Sequence, residues 1–317
     1  MPPTSDPAVL VVRARQGDRR SLARLITLVE DGGAVGDRIV AELFPRTGKA
    51  WTTGLTGAPG AGKSTLTDQL ITQVRAMGAA VAVLAVDPSS PFTGGAILGD
   101  RVRMQGHVDD TGVYIRSMAS RGNLGGIAEA TPRALAVLDG VGFPEILVET
   151  VGVGQAEVDI AGKTDTTVVV VNPRWGDSVQ AAKAGLLEIG DVFVVNKADR
   201  PGADDTVRDL RQMLELGGDL PWWPPIVPAV ASTGEGVAEV WRAVQDHRRH
   251  LVETTRLEAE RRARLVAEIR EAVAHTVRRR VRERLADEEW DDLIDAVWGR
   301  RLDPWAAARR ITALVAG

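Results

Sequence analysis

The chain has 317 residues, 44% of them hydrophobic, with 39 basic and 43 acidic side chains and a net charge of −4. That length fits about two domains with a large buried core, and the slight acidity provides no general attraction to nucleic acid or an anionic membrane. The absence of cysteine excludes disulfides, thiolate zinc sites and cysteine nucleophiles, and it fits a reducing, cytoplasmic setting.

The first stretch, MPPTSDPAVLVVRARQGDRR, has no basic segment followed by a long apolar one, so no signal peptide is expected. No run approaches the roughly 20 apolar residues of a membrane helix. Residues 1–45 read as short helices, with apolar side chains at helical spacing from Ser21 onward and again from Asp37 to Leu43. From Ala50 to Ala229 the texture changes to seven short β-rich runs: WTTGLTG, VAVLAVD, VYIRSM, EILVETV, TTVVVVN, DVFVVN and PPIVPAV. Most are continuous rather than alternating, as for strands covered on both faces. Helical stretches separate them, which predicts a mostly parallel α/β sheet. From Val237 to Trp298 there are 62 residues without glycine or proline, and Leu265, Ile269, Val273, Val277, Val281 and Leu285 recur every fourth residue. This predicts long amphipathic helices outside the α/β domain. The expected organisation is a helical extension over 1–45, an α/β domain over 46–248 and a helical arm over 249–317.

The first β-rich run leads into GLTGAPGAGKSTL. Gly57, Ala58, Pro59, Gly60, Ala61, Gly62, Lys63 and Ser64 form a complete G-x-x-x-x-G-K-[ST] phosphate loop between a strand and a helix, with Thr65 next in the helix. Its glycines let backbone N–H groups turn inward around a phosphate, and the helix N-terminus adds partial positive charge. Lys63 is a point cation for the β and γ phosphates, and Ser64 can ligate Mg²⁺. Such a site needs an acid from another strand. Glu149 ends Ile146-Leu-Val at the edge where open α/β sheets bind ligands. Gly152 can then set its N–H against a γ-phosphate, and Gly154 leaves that loop free to rearrange. Asp87 ends a second apolar run, and Asp100 lies in the glycine-rich GGAILGDRVRM. The metal candidates are therefore Ser64, Asp87, Asp100 and Glu149. The catalytic candidates are Lys63, Asp87, Glu149 and Gln155, with Lys183 from a later loop.

VFVVNKAD places Asn196, Lys197 and Asp199 directly after a strand. A carboxylate at Asp199 can accept from both N1–H and the 2-amino group of guanine, whereas adenine offers no such pair of donors. The Lys197 stem can cover the base. Backbone N–H groups near Ala231, Ser232 and Thr233 are placed to meet the guanine O6.

Taken together, GAPGAGKST, VDPSSPFTGG, ILGDRVRM, ETVGVGQ, GDSVQAAKAGLLEI, NKAD and the late DPWAAARRI resemble the signature blocks of the methylmalonyl-CoA mutase-associated GTPases. These are the MeaB or ArgK type, formerly the LAO/AO transport ATPases, among the SIMIBI P-loop GTPases. The resemblance spans essentially the whole chain. It implies Mg²⁺-dependent hydrolysis of GTP to GDP, a chaperone role in loading and protecting adenosylcobalamin on a methylmalonyl-CoA mutase, and a homodimer made through the C-terminal helices. It also implies that Asp87, Asp100 and Glu149 are metal and switch acids. Asp177, Gln180 and Lys183 match the family's mobile loop. There the usual Pro-Gly-x-Gly-Asp run is replaced by Pro173-Arg174-Trp175-Gly176-Asp177, which puts contact surface in place of flexibility.

Other features carry less. Ten arginines against five acids over Arg256–Arg284, without stacking aromatics, read as a solvated helix face. Trp222-Trp223 between prolines reads as a core plug beside the last strand. His247 and His250 share a helix face and are expected at the surface. Nucleic acid and membrane are not expected partners. The rival readings are a P-loop kinase passing the γ-phosphate to an amino-acid transport protein, and a nickel chaperone. The first needs an acceptor pocket with a base, which no stretch demands. The second usually carries Cys/His clusters.

Overall fold

The computed structural model describes residues 6–87, 105–107, 109–119, 126–150, 160–173, 185, 187–218, 220–285 and 287–316. Asp100, Gly152, Gly154, Gln155, Asp177, Gln180 and Lys183 lie outside these residues, as does the side chain of Asp87. The chain divides into two compact units, Met1–Arg261 and Arg262–Gly317.

The first unit is built on seven strands: β1 (Trp51–Thr56), β2 (Val81–Asp87), β3 (Val113–Ala119), β4 (Glu145–Thr150), β5 (Thr166–Val171), β6 (Val192–Asn196) and β7 (Ile226–Ala229). They form one sheet in the order β3-β2-β4-β1-β5-β6-β7, and every pairing is parallel. All seven β-rich runs of the sequence are strands of this sheet. Among the described residues its helices are α1 (Pro7–Arg15), α2 (Arg19–Asp31), α3 (Gly33–Leu43), α4 (Lys63–Ala76), α5 (Gly126–Val141), α6 (Ala203–Leu216) and α7 (Val237–Glu253). Helix α8 follows at Arg256–Arg284.

The continuous apolar runs have a simple cause. Successive side chains of a strand point to opposite faces, and here both faces are covered. Val81, Val83, Leu147, Val168, Val170, Val192 and Val194 enter one core with Leu66, Leu70 and Val74 of α4 and Val237, Val240 and Val244 of α7. Their alternates face the other way. Ala82, Leu84, Val86, Ile146 and Val148 pack with Leu25 and Ile26 of α2, Ile39 of α3 and Leu138 of α5. Val169, Val171, Phe193 and Val195 pack with Leu210 and Leu214 of α6. The N-terminal helices thus supply part of the cover of the sheet.

The amino-terminal edge of the sheet carries a buried polar cluster. Trp51 Nε1 donates to Thr166 Oγ1 at 3.2 Å, and that hydroxyl lies 3.0 Å from His247 Nδ1. His247 Nε2 is 3.4 Å from Asp191. His247 is buried, which corrects the surface position expected of it. Burial, helped by the neighbouring His250 and by Arg256, pushes its imidazole down to about 4. The Trp222 indole covers both histidines at 5.1 and 5.0 Å and donates to the Asp191 carbonyl. It is the expected plug, while Trp223 is 47% exposed. Next to this cluster Glu145 is enclosed, with Arg248 Nη1 3.0 Å from one oxygen. Burial outweighs that guanidinium and raises its carboxyl to about 7.

The second unit holds the remaining turns of α8 with α9 (Asp287–Trp298) and α10 (Pro304–Ala316). Asp303 caps α10 by accepting from the Ala306 N–H at 2.9 Å.

Candidate functional site

The carboxyl edge of the sheet gathers the motif residues. Strand β1 lies between β4 and β5, and the chain winds outward on either side of it, so the exits of these three strands converge. β1 exits into the phosphate loop. Gly57 has φ +129, and a Cβ there would collide with the Val170 carbonyl of β5. Gly62 has φ +91, and a Cβ there would collide with the Asn196 side chain. Both glycines are therefore required by close approach as well as by left-handed backbone. Helix α4 starts at Lys63 with no side-chain cap, so its first N–H groups are directed at whatever the loop encloses. Lys63 is 6% exposed, and its ammonium donates to the Gly57 and Ala58 carbonyls at 2.5 and 3.2 Å. This folds it along the inside of the loop.

The acid strand is in register with β1, Leu55 opposite Glu149. The Ser64 hydroxyl donates to Glu149 Oε1 at 2.5 Å, and Glu149 is 1% exposed. A buried carboxylate beside a hydroxyl at the mouth of a phosphate loop is a hard oxygen donor set. It suits Mg²⁺, which takes few protein ligands and completes its shell with phosphate oxygens and water. Ser64 and Glu149 are the described residues that would hold it. Ala85 and Val86 of β2 lie opposite Glu149 and Thr150. The backbone of Asp87, next in β2, therefore reaches the same edge.

Asn196 is a rivet between loops. It is 2% exposed. Its amide donates to the Ala61 carbonyl at 2.7 Å, and its oxygen accepts from the Ala231 N–H at 3.0 Å. Ala231 was expected to meet the base through this N–H; here the N–H is committed to Asn196. Thr233 N–H and hydroxyl both return to the Val230 carbonyl, at 3.0 and 3.1 Å. Ser232 is exposed at the tip of the same turn. Lys197 adopts φ 60, and this turn sends its ammonium to the Gly60 carbonyl at 2.6 Å. Asp199 follows it, exposed to solvent, with a carboxylate open to a ligand.

One site residue was not read from the sequence. Asn172, at the exit of β5, donates to the same Gly60 carbonyl at 3.4 Å. The sequence does carry a signal for it: TTVVVVN and DVFVVN both end an apolar run on asparagine.

A model of the family described as "Methylmalonyl Co-A mutase-associated GTPase MeaB" matches residues 22–286. A Pyrococcus horikoshii protein described as a GTPase is 48% identical over 312 residues, covering 97% of this chain and 98% of that one. The Escherichia coli GTPase ArgK is 33% identical, covering 96% and 95%. The mouse methylmalonic aciduria type A homolog, a mitochondrial protein, is 34% identical over 78% of this chain and 64% of its own length. Among solved structures, a LAO/AO transport system kinase superposes with a TM-score of 0.71 at 25% identity, over the full length of both chains.

Proposed function

The chain belongs to the methylmalonyl-CoA mutase-associated GTPases of the MeaB family, and we propose that its GTP hydrolysis serves an adenosylcobalamin-dependent methylmalonyl-CoA mutase, in loading and protecting the cofactor. The observation that carries the nucleotide chemistry is the convergence of three loops on one sheet edge, tied by Ser64 to Glu149 and by Asn196 to both Ala61 and Ala231.

In this reading the phosphate-loop N–H groups and Lys63 hold the β and γ phosphates, and Ser64 and Glu149 hold Mg²⁺. When bound, the ion neutralises charge that develops on the phosphate oxygens. Glu149 takes no proton in this scheme: its carboxylate fixes the Ser64 hydroxyl and the metal side of the phosphate. Asp199 reads the base through two acceptor oxygens. Asn196 and Lys197 contribute by binding the base loop to Gly60 and Ala61, so base and phosphate are held at a fixed separation. Hydrolysis then depends on positioning an attacking water in line, with little covalent work for the protein. Asp87, Asp100, Gln155 and Lys183 remain proposed for the metal, the water and the transition-state charge.

We further infer a homodimer through the C-terminal helices. Leu265, Ile269, Val273 and Val277 form a stripe on α8 that is 43%, 62%, 58% and 37% exposed. An apolar stripe of that length is ordinarily covered, and a two-fold partner is the commonest cover. Cytoplasmic location stays part of the proposal; no helix among the described residues is long and apolar enough to cross a membrane.

The experiment is GTP turnover with and without a methylmalonyl-CoA mutase. Stimulated phosphate release and nucleotide-dependent co-elution support the reading. If turnover occurs only with an amino-acid transport component as phosphate acceptor, the kinase alternative replaces it.

A further inference from the structure

The entries of the three central strands are gripped from α7 and the first turns of α8. Arg261, on the second turn of α8, donates to the Gly48 and Ala50 carbonyls at 2.7 and 2.8 Å. These carbonyls lie just before β1. Its guanidinium also forks onto Asp165 at 2.9 and 2.7 Å, just before β5. Asp165 in turn accepts from the Thr52 N–H and hydroxyl of β1, each at 3.1 Å. From the other side Asp139 of α5 accepts from the Gly48, Lys49 and Ala50 N–H groups at 2.5, 3.3 and 3.0 Å. The tripeptide entering β1 is thus held by its N–H groups from α5 and by its carbonyls from α8. Arg248 of α7 reaches the start of β4 through one oxygen of Glu145, at 3.0 Å. Both guanidiniums lie over the Trp51 ring, at 5.0 and 5.9 Å from its centroid.

These strands end at the phosphate loop, at Glu149 and at Asn172. A surface ornament needs none of this. A single exposed ion pair contributes little, whereas one planar guanidinium here satisfies two backbone carbonyls and a buried carboxylate. A strand's backbone is already close to its full extension and resists axial stretching, and α8 is a continuous helix from Arg256 to Arg284.

We propose that Arg261 is a positioning residue that couples occupancy of the phosphate loop to α8. Filling the loop fixes the exit of β1, the entry moves with it, and Arg261 carries the change to α8. Linkage makes the coupling reciprocal: whatever binds the α8 stripe alters nucleotide affinity by the same factor. The proposal rests on the nucleotide reading of the loop.

Hydrogen exchange of the full chain tests it, with and without a non-hydrolysable GTP analogue, after calorimetry has measured analogue binding. In the wild type, amides of residues 262–284 are expected to change exchange rate by about 5-fold or more on binding. Arg261→Met combined with Asp165→Asn, which leaves no orphaned buried charge, should keep analogue affinity and lose that change. Arg261→Lys keeps the charge but replaces the planar fork and its four bonds with a single compact ammonium; it should lose the change too, and it decides the matter where the double variant fails to fold. Arg262→Met, one position on, should behave as wild type. Absence of analogue binding would defeat the nucleotide reading itself. Binding with an indifferent α8 in the wild type, or a response that survives in the Arg261 variants, overturns the coupling alone.

Discussion

At the scale of single residues, the proposed base specificity rests on Asp199. Asp199→Asn keeps the shape but turns one acceptor into a donor that faces the guanine 2-amino group. Losing a hydrogen bond to a charged group costs about 1.5–3 kcal/mol, so GDP should bind about 10- to 150-fold more weakly. Xanthine carries a carbonyl at that position and should gain. Paired titrations with GDP and xanthosine diphosphate check this; an unchanged guanine preference would remove Asp199 from the base pocket. Glu149→Gln removes charge beside Ser64 and should lower Mg²⁺ affinity in the turnover assay by about 10- to 100-fold. GDP binding without Mg²⁺ should stay close to wild type, and a loss there would mean that Glu149 holds the fold instead. The motif residues were legible because their chemistry fixes type and spacing together. Asn196 shows the limit: its motif was legible, but its role as a rivet to Ala61 and Ala231 depends on neighbours 135 and 35 residues away. Asn172 was missed for the same reason, since its partner is the carbonyl of Gly60 and a carbonyl leaves no mark in sequence.

At the scale of elements, the seven strands were legible because burial on both faces forces continuous apolar runs. The amino-edge cluster was not. His247 sits among Arg248, Arg249 and His250 in a polar stretch of α7, which reads as surface. Its burial against Thr166 is set by tertiary contact. Glu145 gives this cluster a pH signature. Its folded carboxyl is raised to about 7, above its value in the unfolded chain, so the folded state binds the extra proton. Stability from this group is therefore full below about pH 4.5 and is lost as pH rises through 7, by about 3 kcal/mol. His247 acts oppositely, because its folded value is depressed to about 4. Its contribution is full above about pH 6.5 and is lost as pH falls towards 4. The difference between Glu145→Gln and wild type separates the two. In urea unfolding, the variant should gain on the wild type between pH 5 and pH 8; a difference that is flat with pH would mean that Glu145 is not buried with this environment.

At the scale of the whole molecule, the sequence predicted an α/β domain followed by a helical arm from residue 249. In the structure the first compact unit runs on to Arg261, because Arg261 fastens the start of α8 to β1 and β5. That shift moves the place where the chain can be cut. Ending it near residue 250 removes Arg261 and leaves Asp165 buried without its guanidinium, which should cost about 3–5 kcal/mol. Ending it near residue 264 keeps the joint and removes the apolar stripe, so it should give a folded monomer that still binds GDP, its affinity shifted only by the factor that a partner on the stripe contributes through the joint. Light scattering and calorimetry on both truncations check this, and a dimer that persists after the longer cut would place the interface elsewhere. The sequence made the arm visible through its four-residue apolar period, but the joint depends on one arginine among ten, and composition could not single it out. Phosphate release by the purified chain alone, with Mg²⁺ and either GTP or ATP and no phosphate acceptor, is the most direct test of the account. Release from GTP, and little from ATP, is the predicted result. Preference for ATP, or no release until a phosphate acceptor is added, would contradict it.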